Sequence, residues 1–171
     1  MKRRSSLFLT LVVFLLASAS VHAQSKSASG PSSGLDQLKS LAGSWEGTTS
    51  SGKSTRISYE LASGGTALLE RLHSAEESEM ITVYTADGSR VAMTHYCSAN
   101  NQPQMQTAPI SGPASKFTFS FVRATNLASP SAGHMHQLVI TVQDHDHFTQ
   151  EWTWIEKGQT KTELFRFTRK S

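Results

Sequence analysis

The sequence predicts an all-β protein, an antiparallel meander of about ten strands that closes into a barrel and carries a short N-terminal helix. Short runs of alternating polar and apolar residues, typical of half-buried strands, follow one another from Leu38 to the C-terminus. Turn residues separate these runs, and no intervening segment is long enough for the crossover that parallel strands require. Because strong twist curls a sheet of this size, a closed barrel is favoured over an open sheet, with a two-sheet sandwich as the structural alternative.

Each predicted strand ends at a turn signal. In chain order, the predicted strands cover residues 44–49, 55–61, 66–73, 80–85, 90–97, 105–108, 117–121, 134–143, 148–155 and 160–168. The turns between them contain Gly, Asp, Asn or Ser, and Asp87-Gly88 is the strongest hairpin signal. Pro103 and Pro109 flank the short sixth run, which predicts an edge strand or an irregular piece, because proline cannot donate to a β-ladder. In the eighth run, alternation places His134 and His136 on the same face as Leu138.

The N-terminal residues 1–23 have the organisation of a secretory signal peptide. Lys2, Arg3 and Arg4 precede an apolar run, 7–17, and Val21-His22-Ala23 precedes a predicted cleavage site. The apolar run is shorter than the about 20 residues that a membrane span needs, so no span is expected after cleavage. We therefore expect an exported protein, periplasmic or secreted.

The mature chain is predicted to contain one domain. Residues 24–34 are rich in Ser and Gly and predict a disordered leader, and residues 35–171 form the barrel domain. Apolar residues at helical spacing between Leu35 and Leu41 predict one or two turns of helix across a barrel end. Cys97 is the only cysteine, so an internal disulfide is excluded, and we expect the thiol to be buried.

Charge gives no support for a nucleic-acid partner. The whole chain has 16 Lys and Arg against 13 Asp and Glu, and the signal region holds three of the basic residues and no acidic ones. The mature chain is therefore formally neutral, whereas nucleic-acid-binding domains carry basic patches.

The opening Leu38–Gly47 resembles the first strand of calycin-type barrels, which include the lipocalins, the fatty-acid-binding proteins and the nitrobindin-like group. In these families a Gly-x-Trp motif, here Gly43-Ser44-Trp45, packs at the closed end under an arginine of the last strand. The resemblance implies structural roles for Gly43, Trp45 and Arg166, with Arg169 as the other candidate for the stacking arginine. The whole chain is also similar to secreted bacterial calycin-like proteins of unknown function, through four segments. These segments are Thr94–Cys97, Asn101–Pro103, Gly133–His136 and Glu151–Trp154.

The resemblance does not by itself imply haem binding. A haem-binding nitrobindin-like barrel has an axial histidine on a late strand, and this chain has no histidine after His147. Haem remains open only through His95, His134 or His136.

Two short patterns carry candidate ligands for a metal or a small molecule. His95 with Cys97, and His134 with His136, each place two side chains on one face of a strand. Imidazole and thiolate bind zinc and similar transition metals, so these four residues are a candidate metal site if their strands lie together. The alternative is that they line the barrel mouth. We therefore take six residues as cavity candidates: His95, Tyr96, Cys97, His134, His136 and Trp152.

The sequence favours binding over catalysis. It contains no nucleophile elbow, phosphate loop or dinucleotide fingerprint, and we assign no catalytic residue. Aromatic stripes such as Phe117, Phe119 and Phe121 favour either a packed core or an apolar cavity wall. Glu70 lies between Leu68 and Leu72, where it either orients a ligand or marks a solvent-facing side.

The leading hypothesis is a non-enzymatic carrier or sensor that binds a small, largely apolar molecule inside the barrel. The alternatives are a metal- or haem-binding barrel and a structural or interaction module with a filled core.

Overall fold

Ten antiparallel strands close into a barrel in the computed structural model, which describes residues 34–75 and 77–170. The helical elements are α1 (Gly34–Leu38), followed directly by the 3-10 turn Lys39–Leu41, and the 3-10 turn Ser63–Gly65. The strands are β1 (Gly43–Thr49), β2 (Ser54–Ala62), β3 (Ala67–Ser74), β4 (Met80–Asp87), β5 (Arg90–Tyr96), β6 (Gln102–Thr107), β7 (Lys116–Thr125), β8 (His134–Val142), β9 (His147–Glu156) and β10 (Gln159–Arg169). The predicted signal peptide, and the predicted leader apart from Gly34, lie outside the described residues.

Each strand pairs with the next one in sequence, and β1 pairs with β10 to close the barrel. The predicted antiparallel barrel is therefore confirmed, as is the short helix before it. Alternation produces this arrangement because one face of each strand is buried. On β2, for example, Ile57 and Tyr59 are buried, whereas Arg56 and Glu60 are exposed. No helix in the described part of the chain is long and apolar enough to cross a membrane.

One end of the barrel, the closed end, is sealed by the helical segment and by Trp45. Leu35, Leu38 and Leu41 are buried in the core, and the indole Nε1 of Trp45 donates to the carbonyl of Leu41 at 2.8 Å. The guanidinium of Arg169 lies over the Trp45 ring, 4.0 Å from its centroid.

The same arginine ties three chain segments together at the closed end. Its Nε donates to the carbonyl of His145 at 3.0 Å, and its two terminal nitrogens donate to the carbonyls of Ala42 at 2.9 Å and Ser40 at 3.0 Å. Gly43 has φ +125°, and a Cβ there would lie 2.9 Å from an Arg169 nitrogen, so glycine leaves room for this contact.

Arg166 does not take the stacking role assigned to it from the sequence. Phe165 and Phe167 point into the barrel, so Arg166 between them is exposed on the outer face. Arg169 has the inward parity, and β1–β10 pairing places it opposite Trp45.

A register shift in β8 changes which residues face inward. The register of β8 against β9 shifts between Met135 and Gln137, so the single inward face predicted from His134 to Val142 is interrupted and Met135 lines a cavity. The sixth strand is part of the closed barrel and is therefore not an edge strand, but its register against β7 is irregular, as the alternative prediction had it, with a shift between Gln104 and Met105. Its pairing with β5 covers only three residue pairs and ends at Gln104. Pro103 lies beyond the last pair, so the N–H that proline lacks is not needed for a hydrogen bond to β5.

Aromatic side chains fill the barrel centre. The largest fully buried side chains include one tryptophan, two tyrosines and four phenylalanines: Trp45, Tyr59, Tyr84, Phe117, Phe119, Phe148 and Phe167. A cavity lies at the other end, the open end, where β8 begins and β5 and β9 end.

Candidate functional site

A cavity of about 400 Å³ lies at the open end of the barrel. Its wall is mainly aromatic, aliphatic and sulfur-containing: Leu72, Met80, Cys97, Met135, Trp152, Trp154 and Phe165. Polar and charged side chains also line it: Glu77, His95, Ser98, Lys161 and Glu163. This size and this mixture of a large apolar wall with a few polar groups are typical of small-molecule sites.

A buried carboxylate lies on the inward face of β3. The Glu70 side chain is fully buried, and three hydrogen bonds reach it. Tyr84 donates to Oε2 at 2.6 Å, Gln150 donates to the same oxygen at 2.8 Å, and Thr82 contacts Oε1 at 3.2 Å. Period-two alternation explains the convergence, because Thr82 and Tyr84 share the inward face of the adjacent strand β4.

Gln150 connects this carboxylate to the cavity wall. Its Oε1 accepts a hydrogen bond from the Trp152 indole at 2.9 Å, and its Nε2 donates to the Tyr59 hydroxyl at 2.7 Å as well as to Glu70. Because the indole N–H can only donate, it determines which end of the Gln150 amide faces it. Trp152 itself lines the cavity, so the buried network reaches the site directly.

His95 forms the other link between the network and the cavity. It is 1% exposed, its Nδ1 lies 3.0 Å from the Thr82 hydroxyl, and its ring packs on Trp152 with centroids 4.6 Å apart. Its Nε2 is buried without a hydrogen-bond partner. Burial lowers the pKa of His95 to about 4, so the imidazole is neutral at pH 7. Such an unsatisfied polar atom is costly in a protein interior, so it identifies a position where a hydrogen-bond partner would be favourable.

Burial raises the pKa of Glu70, and its hydrogen-bond donors Tyr84, Tyr59, Gln150 and Thr82 oppose that rise. Burial also raises the pKa of Tyr59 and Tyr84 well above 10, and the neighbouring Glu70 charge adds to this effect. Both phenols are therefore neutral donors at any physiological pH.

Three of the six cavity candidates line the cavity, namely His95, Cys97 and Trp152. Tyr96 does not, because it lies between His95 and Cys97 and therefore points to the outer face, where it is 50% exposed. It lines a shallow external groove together with Val122.

His134 and His136 lie in a separate cluster of rings. The ring centroids of His134 and His136 are 4.6 Å and 5.1 Å from that of Phe121, and Nδ1 of His136 is 3.4 Å from Nε2 of His134. Nδ1 of His134 is 2.9 Å from the carbonyl oxygen of Ala132. The local bulge in β8 accounts for this placement.

The four predicted metal ligands are not brought together by neighbouring strands. His95 lies on β5 and Cys97 directly after it, whereas His134 and His136 lie on β8, and β6 and β7 separate the two strands in the barrel. Within residues 34–75 and 77–170, no group of three or more His, Cys, Asp and Glu side chains is arranged to hold a metal ion.

Cys97 is half-buried in the cavity wall. Burial raises the pKa of its thiol, which keeps the sulfur protonated at neutral pH and lowers its nucleophilicity.

Sequence reasoning missed several residues that build the site. Thr82 and Gln150 are polar residues at inward positions of strands, and that parity is the signal that could have identified them. Met135 could not be placed, because the bulge that turns it inward has no clear sequence signal.

Comparison with known proteins shows the fold and no function. No family model and no curated protein matches the chain. The structure is similar to Rv2717c from M. tuberculosis, with a TM-score of 0.59 and 12% identity over 83% of this chain and 100% of that chain. It is also similar to a protein of unknown function from the DUF3598 family of Nostoc punctiforme. That match has a TM-score of 0.54 and 16% identity, and it covers 78% of this chain and 48% of the other, about half its length.

The structure is more weakly similar to that of EF1p2_mFAP2b bound to DFHBI. This match has a TM-score of 0.38 and 11% identity, and it covers 80% of this chain and 98% of the other. At this level, no conclusion about the present chain follows from it. The two better matches support the barrel fold, and at such low identity the fold is all that they show.

Proposed function

We propose that this protein is an exported, non-enzymatic carrier or sensor that binds a small, largely apolar molecule in the cavity at the open end of its barrel. The observation that carries the proposal is the unpartnered Nε2 of His95 beside an aromatic wall formed by Trp152 and Trp154. An apolar ligand with one polar atom would bury its body against the indoles and satisfy the imidazole.

The filled centre of the barrel supports binding at the mouth over binding in the interior. Aromatic rings and the Glu70 network occupy the interior between the cavity and the closed end. A hydrogen-bonded network of this kind rigidifies its surroundings, so the floor of the cavity is preorganised. The ligand would thus be limited to the about 400 Å³ at the open end, enough for one or two rings.

The charged residues of the cavity do not favour an ionic ligand. Lys161 is the cation in the lining, and Glu77 and Glu163 are the anions. With both signs present, and a neutral His95, the site offers hydrogen bonds more than net charge. This combination supports a neutral or weakly polar molecule.

Binding of the apolar fluorescent probe N-phenyl-1-naphthylamine tests this proposal. Trp152 and Trp154 line the cavity, so bound probe should quench tryptophan emission by energy transfer and show raised fluorescence of its own. Ala99→Trp adds an indole at the cavity wall, and Ala86→Trp is the matched control at an exposed position on the β4–β5 hairpin.

We expect saturable binding that weakens at least tenfold in Ala99→Trp and stays unchanged in Ala86→Trp. Absence of saturable binding, or equal affinity in both variants, would show that the cavity is not the binding site. Native mass spectrometry of protein exported through its own signal would then identify any co-purified ligand.

A further inference from the structure

The hydrogen atoms of the buried network can be followed from Trp152 to His95. The indole determines the orientation of Gln150, whose Nε2 then donates to Tyr59 and to Oε2 of Glu70. Tyr84 donates to the same carboxylate oxygen. Oε2 therefore receives two donors, and Oε1 is left to meet Thr82.

Thr82 has one hydroxyl hydrogen and two potential partners. An ionised carboxylate is an acceptor only, so Thr82 donates its hydrogen to Oε1 of Glu70. The oxygen of Thr82 then accepts, and the group that donates to it is Nδ1 of His95 at 3.0 Å. With Nδ1 protonated and the imidazole neutral, Nε2 carries a lone pair and no hydrogen.

The hydrogen bonds to Glu70 favour the ionised form. Tyr84, Gln150 and Thr82 donate to it, and the carboxylate is the form that accepts all three. Burial acts in the opposite direction. The tautomer of His95 therefore reports which effect dominates.

We propose that the cavity selects a ligand carrying a hydrogen-bond donor, a hydroxyl or N–H group on an otherwise apolar body, because Glu70 and Thr82 hold His95 with its Nε2 lone pair free for that donor. The selectivity rests on the proposed binding function, whereas the tautomer of His95 does not. Phenols, indoles and alcohols belong to the favoured class. Ethers and ketones of the same shape are disfavoured, since they would place an acceptor against the Nε2 lone pair. Glu70 and Thr82 are positioning residues for this selectivity.

Nitrogen NMR of the histidine ring tests the tautomer without any ligand. Ring ¹⁵N shifts distinguish a protonated nitrogen from an unprotonated one, and we expect the Nδ1–H form for His95 in the wild type at neutral pH. In Glu70→Gln, the new amide can donate to Thr82, which then donates to Nδ1, so the Nε2–H form should replace it. Thr82→Val removes the link while keeping the side-chain shape, and should abolish the preference for Nδ1–H.

Glu60→Gln is the control, because it removes an exposed carboxylate from the outer face of β2 and leaves both the network and the cavity lining intact. We expect it to keep the wild-type tautomer. An Nε2–H signal in the wild type would overturn the proposal, as would an unchanged Nδ1–H signal in both Glu70→Gln and Thr82→Val.

A matched ligand pair tests the selectivity. 4-Ethylphenol and 4-ethylanisole share a ring and differ in the donor, and an unsatisfied buried acceptor typically lowers affinity about tenfold. We expect the wild type and Glu60→Gln to prefer the phenol by about that factor, and the ratio to approach one in Glu70→Gln. Equal affinities in the wild type would overturn the selectivity. A third outcome is that the Nδ1–H form is observed but neither the two ethyl compounds nor the naphthylamine probe binds. The binding function and the selectivity would then both be wrong, and only the tautomer assignment would stand.

Discussion

Replacing Arg169 by lysine tests how far the closed end depends on one guanidinium. Arg169 donates to three backbone carbonyls and stacks on Trp45, with its side chain 19% exposed. At about 1 kcal/mol for each partly exposed hydrogen bond and ~0.5–1 kcal/mol for the cation–π contact, the whole set contributes about 3–4 kcal/mol. Lysine keeps the charge and part of this set, so we expect Arg169→Lys to lower the free energy of unfolding by about 2 kcal/mol.

Urea denaturation followed by far-UV circular dichroism measures this change. Arg166→Lys is the control, since Arg166 lies on the same strand with its side chain exposed, and we expect it to change stability by less than about 0.5 kcal/mol. A double-mutant cycle with Trp45→Phe separates the stacking contribution from the hydrogen bonds. Equal effects of the two lysine variants would refute the role assigned to Arg169.

Three further predictions concern the open end. Because His95 has a folded-state pKa of about 4 against 6.5 in an unfolded chain, the unfolded state takes up the extra proton between these values. Stability should therefore fall as the pH is lowered from 6.5 to about 4, by on the order of 3 kcal/mol, and His95→Gln should remove this component from urea titrations. Cys97, half-buried and with a raised pKa, should react with Ellman's reagent at least about tenfold more slowly than a free thiol at pH 7.5, and urea unfolding should abolish this protection. Gly133→Ala should displace Trp154, because the added Cβ would lie 2.1 Å from its ring, and the near-UV circular dichroism and probe affinity should change.

Each of these expectations has a contrary outcome. If the stability of the wild type and of His95→Gln depended on pH in the same way, the titrating group would be one other than His95. Because Glu70 contributes with the opposite sign in both proteins, subtracting the two pH profiles removes its contribution. Reaction of Cys97 at the rate of a free thiol would mean that the thiol is exposed. Unchanged near-UV spectra and probe affinity in Gly133→Ala would show that Trp154 tolerates the contact.

The fold was predictable because its information is local. Alternation and turn residues recur along the whole barrel, and each strand pairs with its sequence neighbour, so no distant pairing had to be found except that of β1 with β10. The structural role predicted for Trp45 rests on equally local information, a short motif at the start of β1, where the indole donates to the carbonyl of Leu41.

The site was less predictable because it depends on register and on burial. Arg166 and Arg169 are three residues apart on β10, so their side chains point to opposite faces of the strand. The sequence alone did not show which of the two faces inward. Glu70 was open to two readings until burial showed that it faces inward. The β8 bulge separates His136 from the cavity and brings Met135 to it, and a single extra residue is enough for both changes.

Because the first strand pairs with the last, the cavity is complete only after the whole barrel has folded. Until β10 pairs with β1, both β1 and β9 would present unpaired edges, which promote aggregation. The last strand also supplies Lys161, Glu163 and Phe165 to the cavity lining, so an incomplete barrel has an incomplete site. Ligand binding would thus act as a reporter of folding quality, and removal of β10 should abolish binding and solubility together.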